Sequence, residues 1–164
     1  MTMNPAVNYS IRAMTLADYD EVFRLWSEAP GIFLGDDDTR DRIELYLRRN
    51  KGLCFVAEAE GRVVGTVLCG HEGRRGILRH LTTERALRGN GIGRALTQQC
   101  LAALAGQGIR KCNLYVMDAN PEGMGFWKHI GFHQLDDDYR TLQHPTQAGP
   151  CSEPAVPNGL PSCD

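Results

Sequence analysis

Between an apolar segment and a helical pattern, the chain reads Arg88-Gly89-Asn90-Gly91-Ile92-Gly93-Arg94. Glycines at such a junction let backbone N–H groups close around a phosphate, and the positive end of the helix dipole adds to the attraction. Larger side chains would block the approach or exclude the backbone angles that the loop needs. The segment therefore predicts a phosphate-binding loop between a strand and a helix. A tight turn that only begins the helix is the alternative interpretation.

The spacing does not fit the two commonest phosphate loops. A dinucleotide fingerprint needs Gly-x-Gly-x-x-Gly with an acidic residue about 20 positions further on, and the chain has Asn113-Leu114-Tyr115 at that distance. A P-loop needs a lysine followed by Ser or Thr, and no lysine lies near the loop. A dinucleotide-binding oxidoreductase is therefore a disfavoured alternative.

Three segments, in order along the chain, resemble the GNAT superfamily of N-acetyltransferases. Arg88-x-x-Gly91-x-Gly93 resembles its pyrophosphate signature, and the His-Leu-Thr-Thr of residues 80–83 resembles the end of its fourth strand. Residues 120–132 resemble its segment Asn-x-x-(small)-x-x-(Phe/Leu)-Tyr-x-x-x-Gly-Phe. The resemblance covers roughly residues 9–143. It implies an N-acetyltransferase that takes its acetyl group from acetyl-CoA.

The resemblance also implies a set of cofactor-binding residues. The strand end would pair with the pantetheine arm, the glycine loop would wrap the pyrophosphate, and residue 120 would approach the thioester. The implied residues are Leu81, Thr82, Thr83, Arg88, Gly89, Asn90, Gly91, Ile92, Gly93, Arg94, Asn120 and Trp127. Each has a plainer alternative: Leu81 and Thr83 as ordinary strand residues, Arg88 as a solvated charge, and Asn120 as a helix N-cap.

Amine acetylation needs a neutral amine, a polarised thioester carbonyl and a proton for the departing thiolate. The family often supplies the proton from a tyrosine where this chain has Trp127, and it often places a carboxylate where this chain has Tyr115. Tyr115 is the substitute candidate for the proton donor, and Trp127 is expected to be a packing or cofactor-lining aromatic. Strand alternation places His80 on the opposite face, as a core histidine. A non-catalytic acyl-CoA-binding or sensor module is the alternative function.

Composition limits the partners. The chain has 164 residues, 42% hydrophobic and 23% charged, with a net charge of −2. So small a charge disfavours nucleic acid or an acidic membrane surface as a partner. No apolar run long enough for a membrane span and no leader pattern is found, so we expect a cytoplasmic protein. The expected acceptor is an amine of a small molecule or peptide. If that amine is cationic, the aspartates at 36–38 would attract it. A homodimer is left open. No cysteine or histidine has metal-binding spacing, so we expect no metal, and four of the six cysteines are expected to be buried thiols.

Hydrophobic periodicity predicts the order strand, helix, helix, three strands, helix, strand, helix, two strands. This is an α/β (α+β) pattern: a single GNAT-like domain with a mixed, mostly antiparallel sheet of about seven strands flanked by about four helices. The strand after the third helix is expected at residues 111–117, and a final hairpin at 132–135 and 139–144. The predicted domain spans residues 1–144, and the proline-rich residues 145–164 are predicted to form a flexible tail.

Overall fold

In the described part of the chain, five strands form one sheet and lie side by side in the order in which they occur in the sequence. The computed structural model describes residues 7–135, 142, 143 and 146. The strands are β1 (Ser10–Ala13), β2 (Phe55–Ala59), β3 (Arg62–His71), β4 (Gly76–Thr83) and β5 (Cys112–Asn113). The helices are α1 (Tyr19–Glu28), α2 (Arg40–Arg49), α3 (Ile92–Gly106) and α4 (Pro121–His129).

The first four strands pair in antiparallel fashion, and β5 joins β4 in parallel. The predicted class, a mixed and mostly antiparallel sheet with four helices, is therefore confirmed. No helix in the described part of the chain is long and apolar enough to cross a membrane. The predicted domain boundary at residue 145 lies outside the described residues and stays a prediction.

The prediction of about seven strands was too high for the described residues, because two segments behave differently. Phe132 does not start a strand: its N–H donates to the carbonyl of Trp127 at 2.9 Å, so the chain after Gly131 turns back onto α4. Residues 132–135 are irregular, and most of the second predicted arm, 139–144, lies outside the described residues.

The strand predicted at 111–117 contains only two paired residues. Cys112 and Asn113 pair with Gly76 and Ile77 at the start of β4, and the parallel pairing stops there. Beyond that point β4 has a bulge at His80, where φ is +52°. The end of β4 therefore has β3 on one side and no paired strand among the described residues on the other.

Each face of the sheet carries its own hydrophobic core. On one face, α1 and α2 contribute Val22, Leu25, Trp26 and Ile43 to a cluster with the strands. On the other face lies the predicted stripe of α3, whose members are all fully buried: Ile92, Leu96, Cys100 and Leu104. The four-residue spacing of that stripe is what allows one side of α3 to bury completely.

Two glycines let α3 lie directly on the sheet backbone. A Cβ added at Gly65 of β3 would lie 2.9 Å from Cγ2 of Ile92. A Cβ added at Gly76 of β4 would lie 2.5 Å from Cδ1 of Leu104. Both distances are shorter than the contacts that real Cβ atoms make. α3 therefore lies in a trough of the sheet surface that exists because Gly65 and Gly76 have no side chains.

Candidate functional site

An open cavity of about 560 Å³ lies where the end of β4 meets α3 and α4. Its volume falls within the range of small-molecule and cofactor sites, about 300–1,000 Å³. Its walls come from the end of α1, the end of β4, the glycine loop and α4. The lining residues are Ala29, Pro30, Leu81, Thr82, Thr83, Leu87, Arg88, Gly89, Gly91, Ile92, Gly93, Arg94, Asn120, Glu122, Gly123, Phe126, Trp127, His129 and Ile130.

The glycine loop opens α3 with free backbone donors. Gly91 is the N-cap residue in the left-handed conformation, with φ of +79°, and its carbonyl accepts from the N–H of Ala95 at 2.9 Å. The first N–H groups of a helix have no partner within it, and they carry the positive end of its dipole. Ile92, Gly93 and Arg94 supply those groups and line the cavity. The cavity thus has the features of an anion site.

The third glycine of the loop allows α3 and α4 to approach each other. A Cβ at Gly93 would lie 3.2 Å from Cζ of Phe126, a ring on α4. Any side chain at Gly93 would therefore push this ring aside. The close contact keeps the two helices at opposite walls of one narrow cavity.

The remaining loop residues close the turn. The side-chain amide of Asn90 donates to the carbonyl of Leu87 at 3.0 Å. Asn90 does not line the cavity, although it was predicted to bind the cofactor. Arg88 does line it, and its guanidinium lies 3.6 Å from the carboxylate of Glu122 on α4. Because Arg88 and Glu122 are 39% and 82% exposed, this pair is weak and leaves the guanidinium available to an anion.

The end of β4 forms a second wall. Leu81, Thr82 and Thr83 all line the cavity, as their predicted role requires. Since pairing with β5 stops at Ile77, the outer edge of this segment has no strand partner among the described residues. A free strand edge offers backbone N–H and C=O groups to an extended ligand.

Asn120 is the N-cap that the alternative interpretation expected, and its predicted approach to the thioester stays a prediction. Its Oδ1 accepts from the N–H of Gly123 at 2.9 Å, which makes it the N-cap of α4, and its side chain also lines the cavity. A Cβ at Gly31, after α1, would lie 3.0 Å from its Nδ2. The amide is thus enclosed between the end of α1 and the start of α4.

Trp127 lines the cavity within an aromatic row. Its ring meets those of Phe126 and Phe132 edge to face, with centroids 5.0 and 5.1 Å apart. These contacts fit the expected packing role, and the cofactor-lining role of Trp127 stays a prediction. Such edge-to-face pairs add stability beyond the area that they bury.

Tyr115, the predicted proton donor, lies apart from this site. It is 75% exposed and is not among the residues that line the cavity. It follows the two-residue β5, where the chain is no longer held by strand pairing. Its catalytic role stays a prediction.

Sequence reasoning missed several lining residues. Phe126 and Ile130 lie on one face of α4 with Gly123, and helical spacing could have revealed them once Asn120 was placed. Ala29 and Pro30 lie far away in sequence, and only the fold brings them to the site.

Two other candidate groups are engaged elsewhere. Asp38, part of the predicted acidic attraction site, is buried and hydrogen-bonded to His80 and to the N–H of Gly35. The described cysteines are free thiols: three of the four expected to be buried are buried, whereas Cys112 is only half-buried. Burial raises the pKa of Cys54 to about 11, so this thiol stays protonated and is a poor nucleophile at neutral pH.

Comparison with known proteins finds a matching family model and solved structures with a similar fold. Residues 19–132 match the model of the acetyltransferase (GNAT) family. Among solved structures, the PaiA N-acetyltransferase from Thermoplasma acidophilum in complex with coenzyme A is similar, with a TM-score of 0.72 and 20% identity over 80% of this chain and 93% of that chain. Ard1 from Thermoplasma volcanium has a TM-score of 0.70 and 23% identity over 77% of this chain and 84% of that one.

A third similar structure is the glucosamine-6-phosphate N-acetyltransferase from Arabidopsis thaliana. Its TM-score is 0.61, with 18% identity over 82% of this chain and 98% of that chain. At such identities the structures establish a common fold, and the family model carries the assignment.

Proposed function

Because the chain belongs to the GNAT family of acetyltransferases, we propose that it transfers the acetyl group of acetyl-CoA to a primary amine of a small molecule or peptide. The observation that carries the proposal is the cavity between the left-handed Gly91 loop and the unpaired edge of β4. One wall is built for an anion and the other for an extended chain. Coenzyme A combines both in one molecule.

In this proposal the pyrophosphate lies against the N–H groups that open α3, with Arg88 exchanging Glu122 for a phosphate oxygen. The pantetheine arm adds to the outer edge of β4 at Leu81, Thr82 and Thr83, and a backbone N–H there polarises the thioester carbonyl. Asn120 and Trp127 close the cavity from α4. A cytoplasmic location, where acetyl-CoA is available, accompanies the proposal.

The test is a measurement of CoA release with a thiol-reactive dye. Acetyl-CoA is offered with amino acids, polyamines, aminoglycosides or peptides with free N-termini, and the rate without an acceptor gives the hydrolysis background. We expect one class of acceptor to raise the rate well above that background. Mass spectrometry of the product, with a gain of one acetyl group, identifies the acceptor and the acetylated nitrogen.

A second function is a non-catalytic acyl-CoA-binding or sensor module. It is favoured by one observation: the two positions where the family often has catalytic groups hold Trp127, packed between two rings, and Tyr115, which is outside the cavity lining. Calorimetry separates the two functions. Tight binding of acetyl-CoA without release of CoA to any acceptor supports the sensor, and turnover with one acceptor excludes it.

A further inference from the structure

A histidine–aspartate pair lies between β4 and the connection from α1 to α2. Nε2 of His80 is 2.8 Å from Oδ1 of Asp38, and their side chains are 18% and 13% exposed. Oδ2 of Asp38 accepts from the N–H of Gly35 at 2.9 Å. The hydroxyl of Tyr19 donates to the carbonyl oxygen of Asp38 at 2.8 Å. The carboxylate is therefore fixed at both oxygens, and His80 is held by a rigid partner.

The backbone at His80 is shaped in an uncommon way. His80 and Leu81 together oppose the single residue Val67 of β3, which makes this a β-bulge, and φ at His80 is +52°. Only a few per cent of non-glycine residues have a positive φ. Such conformations cluster at functional sites, and bulges beside active sites re-aim a side chain. The bulge directs His80 to the face where α1 and Asp38 lie.

The pair lies next to cavity-lining residues along two elements, although His80 and Asp38 are not themselves among the lining residues. Leu81, the next residue on β4, lines the cavity, and so do Ala29 and Pro30 at the end of α1. Trp26, about one turn earlier on α1, meets the imidazole edge to face at a centroid distance of 5.0 Å. The imidazole thus lies one residue from the segment proposed to hold the thioester, with a buried ring fixing its plane.

The contact with Asp38 decides which ring nitrogen is available. A carboxylate only accepts hydrogen bonds, so it fixes the proton on Nε2 and leaves the lone pair on Nδ1. No hydrogen bond to Nδ1 is found among the described residues. We propose that His80 is the general base that deprotonates the acceptor ammonium and that Asp38 is its positioning residue. This role rests on the proposed function.

The proton balance is as follows. Nδ1 of His80 removes one proton from the ammonium, and the amine nitrogen forms a bond to the acetyl carbon. The tetrahedral adduct loses a second proton from nitrogen as the carbon–sulfur bond breaks, and the thiolate of CoA takes that proton. The imidazolium then returns its proton to water, so that amide, CoA thiol and one proton are the products.

The titratable and charged neighbours of the imidazole come from three elements. Asp38 and Tyr19 approach from the helical layer, and Arg79 precedes His80 on β4. All three stay unchanged in the variants at position 80. A pH effect of those variants therefore reports on the imidazole itself.

The experiment compares His80→Gln, His80→Gly and the wild type with the best acceptor of the panel described above. Glutamine keeps an amide donor for Asp38 but provides no base. Glycine suits the positive φ and leaves room for added imidazole. His71→Gln is the matched control, because His71 also bonds a side chain, Gln107 at 2.9 Å, but lies opposite Gly76, at the other end of β4 from the bulge.

We expect His80→Gln to lower kcat about 10²- to 10⁴-fold, the usual contribution of a general base. The loss should shrink as pH rises toward the pKa of the acceptor amine, and the Kd for acetyl-CoA should stay unchanged. Free imidazole should restore part of the activity of His80→Gly. Asp38→Asn should move the imidazole proton to Nδ1, visible in nitrogen-15 NMR spectra, and lower kcat similarly.

Either of two results would overturn this role of His80 and leave the proposed function intact. The first is a kcat of His80→Gln close to that of His71→Gln. The second is a loss of kcat that is the same at every pH and is not rescued by imidazole. The latter, with a lowered melting temperature, is what a purely structural histidine would give. A wild-type protein that releases CoA to no acceptor would overturn the proposed function, and this role of His80 with it.

Discussion

The two faces of the sheet differ in how the hydrogen-bonding needs of their polar groups are met. On the face of α1 and α2, buried carboxylates have partners: Asp18 bonds Arg12, and Asp38 bonds His80. On the face of α3 and α4, the loop at Gly91 begins α3 with backbone donors that the helix itself cannot satisfy. On the first face the buried carboxylates are paired with other side chains, whereas on the second face we propose that a ligand supplies the acceptors for the backbone donors.

The two helices on the second face also differ from each other. α3 has a fully buried stripe, while α4 has no buried residue and contains two glycines, Gly123 and Gly125. The same cavity therefore has one wall anchored in the core and one held by a cap and an aromatic row. The cavity lies where the packing of α4 is incomplete.

The anchoring of α3 is tested by Leu96→Ala, which removes a side chain that is fully buried. We expect the free energy of unfolding to fall by about 3 kcal/mol, as for other buried leucines. Leu101→Ala is the matched control, because Leu101 lies on the same helix and is 37% exposed. Urea unfolding measures both, and equal losses would contradict the contrast between the two sides of α3.

Gly91→Glu tests whether the free donors hold an anion. The added carboxylate opposes the pyrophosphate, and like charges brought together cost several kcal/mol, so the Kd for CoA should rise at least about 100-fold. Gly108→Glu is the control, because Gly108 has the same φ of +79° at the far end of α3, outside the cavity. Calorimetry with CoA should separate them; unchanged affinity in Gly91→Glu would mean that the pyrophosphate lies elsewhere.

The paired face is tested by Asp18→Asn. Burial disfavours the Asp18 carboxylate, but the Arg12 guanidinium and the N–H of Thr15 outweigh it, so its pKa lies below the usual value. We expect a loss of about 2 kcal/mol at pH 7, typical of bonds to charged groups.

The pH dependence of this loss has a definite sign. A lowered carboxyl pKa stabilises the fold above the unfolded pKa, and this stabilisation disappears as pH falls through the folded pKa. The difference between wild type and Asp18→Asn should therefore shrink below about pH 4. Glu28→Gln is the control, since the exposed pair of Glu28 and Arg24 should contribute little at any pH.

The smallest effect is expected at the cap of α4. Asn120→Ala removes the acceptor for the N–H of Gly123 and should cost about 1 kcal/mol in thermal unfolding. Asn120→Ser keeps a capping oxygen but shortens the side chain that lines the cavity. If the amide also contacts the ligand, Asn120→Ser should restore stability but leave the affinity for CoA reduced. Full recovery of both stability and affinity would mean that Asn120 serves only as the cap of α4.

Local features were predictable from sequence because their causes are local. The start of α3 at Ile92, its buried stripe and the cap at Asn120 follow from spacing and residue type. The glycine loop was found in the same way, since only backbone geometry is required of it. Of the loop residues predicted to bind the cofactor, Asn90 alone does not line the cavity, and its side chain instead completes the turn.

Features that depend on distant contacts were not predictable. Alternation along β4 put His80 on the right face but gave no sign of the bulge, which appears only in the register with β3. The length of β5 is set by how far its pairing with β4 extends, which is two residues. Phe132 bonds back to Trp127 instead of beginning a strand. The pairing of Asp38 with His80 joins residues 42 positions apart.

The trough formed by Gly65 and Gly76 has a consequence for length. The contacts at Gly65 and Gly76 seat α3 against the backbone at two points, so the fold sets the distance from the first turn of α3 to the end of β4. A ligand that contacts both the first turn of α3 and the end of β4 must have a length that matches that distance. In the proposed complex, the fold would therefore fix how far the ligand reaches, with its far end beside the bulge of β4.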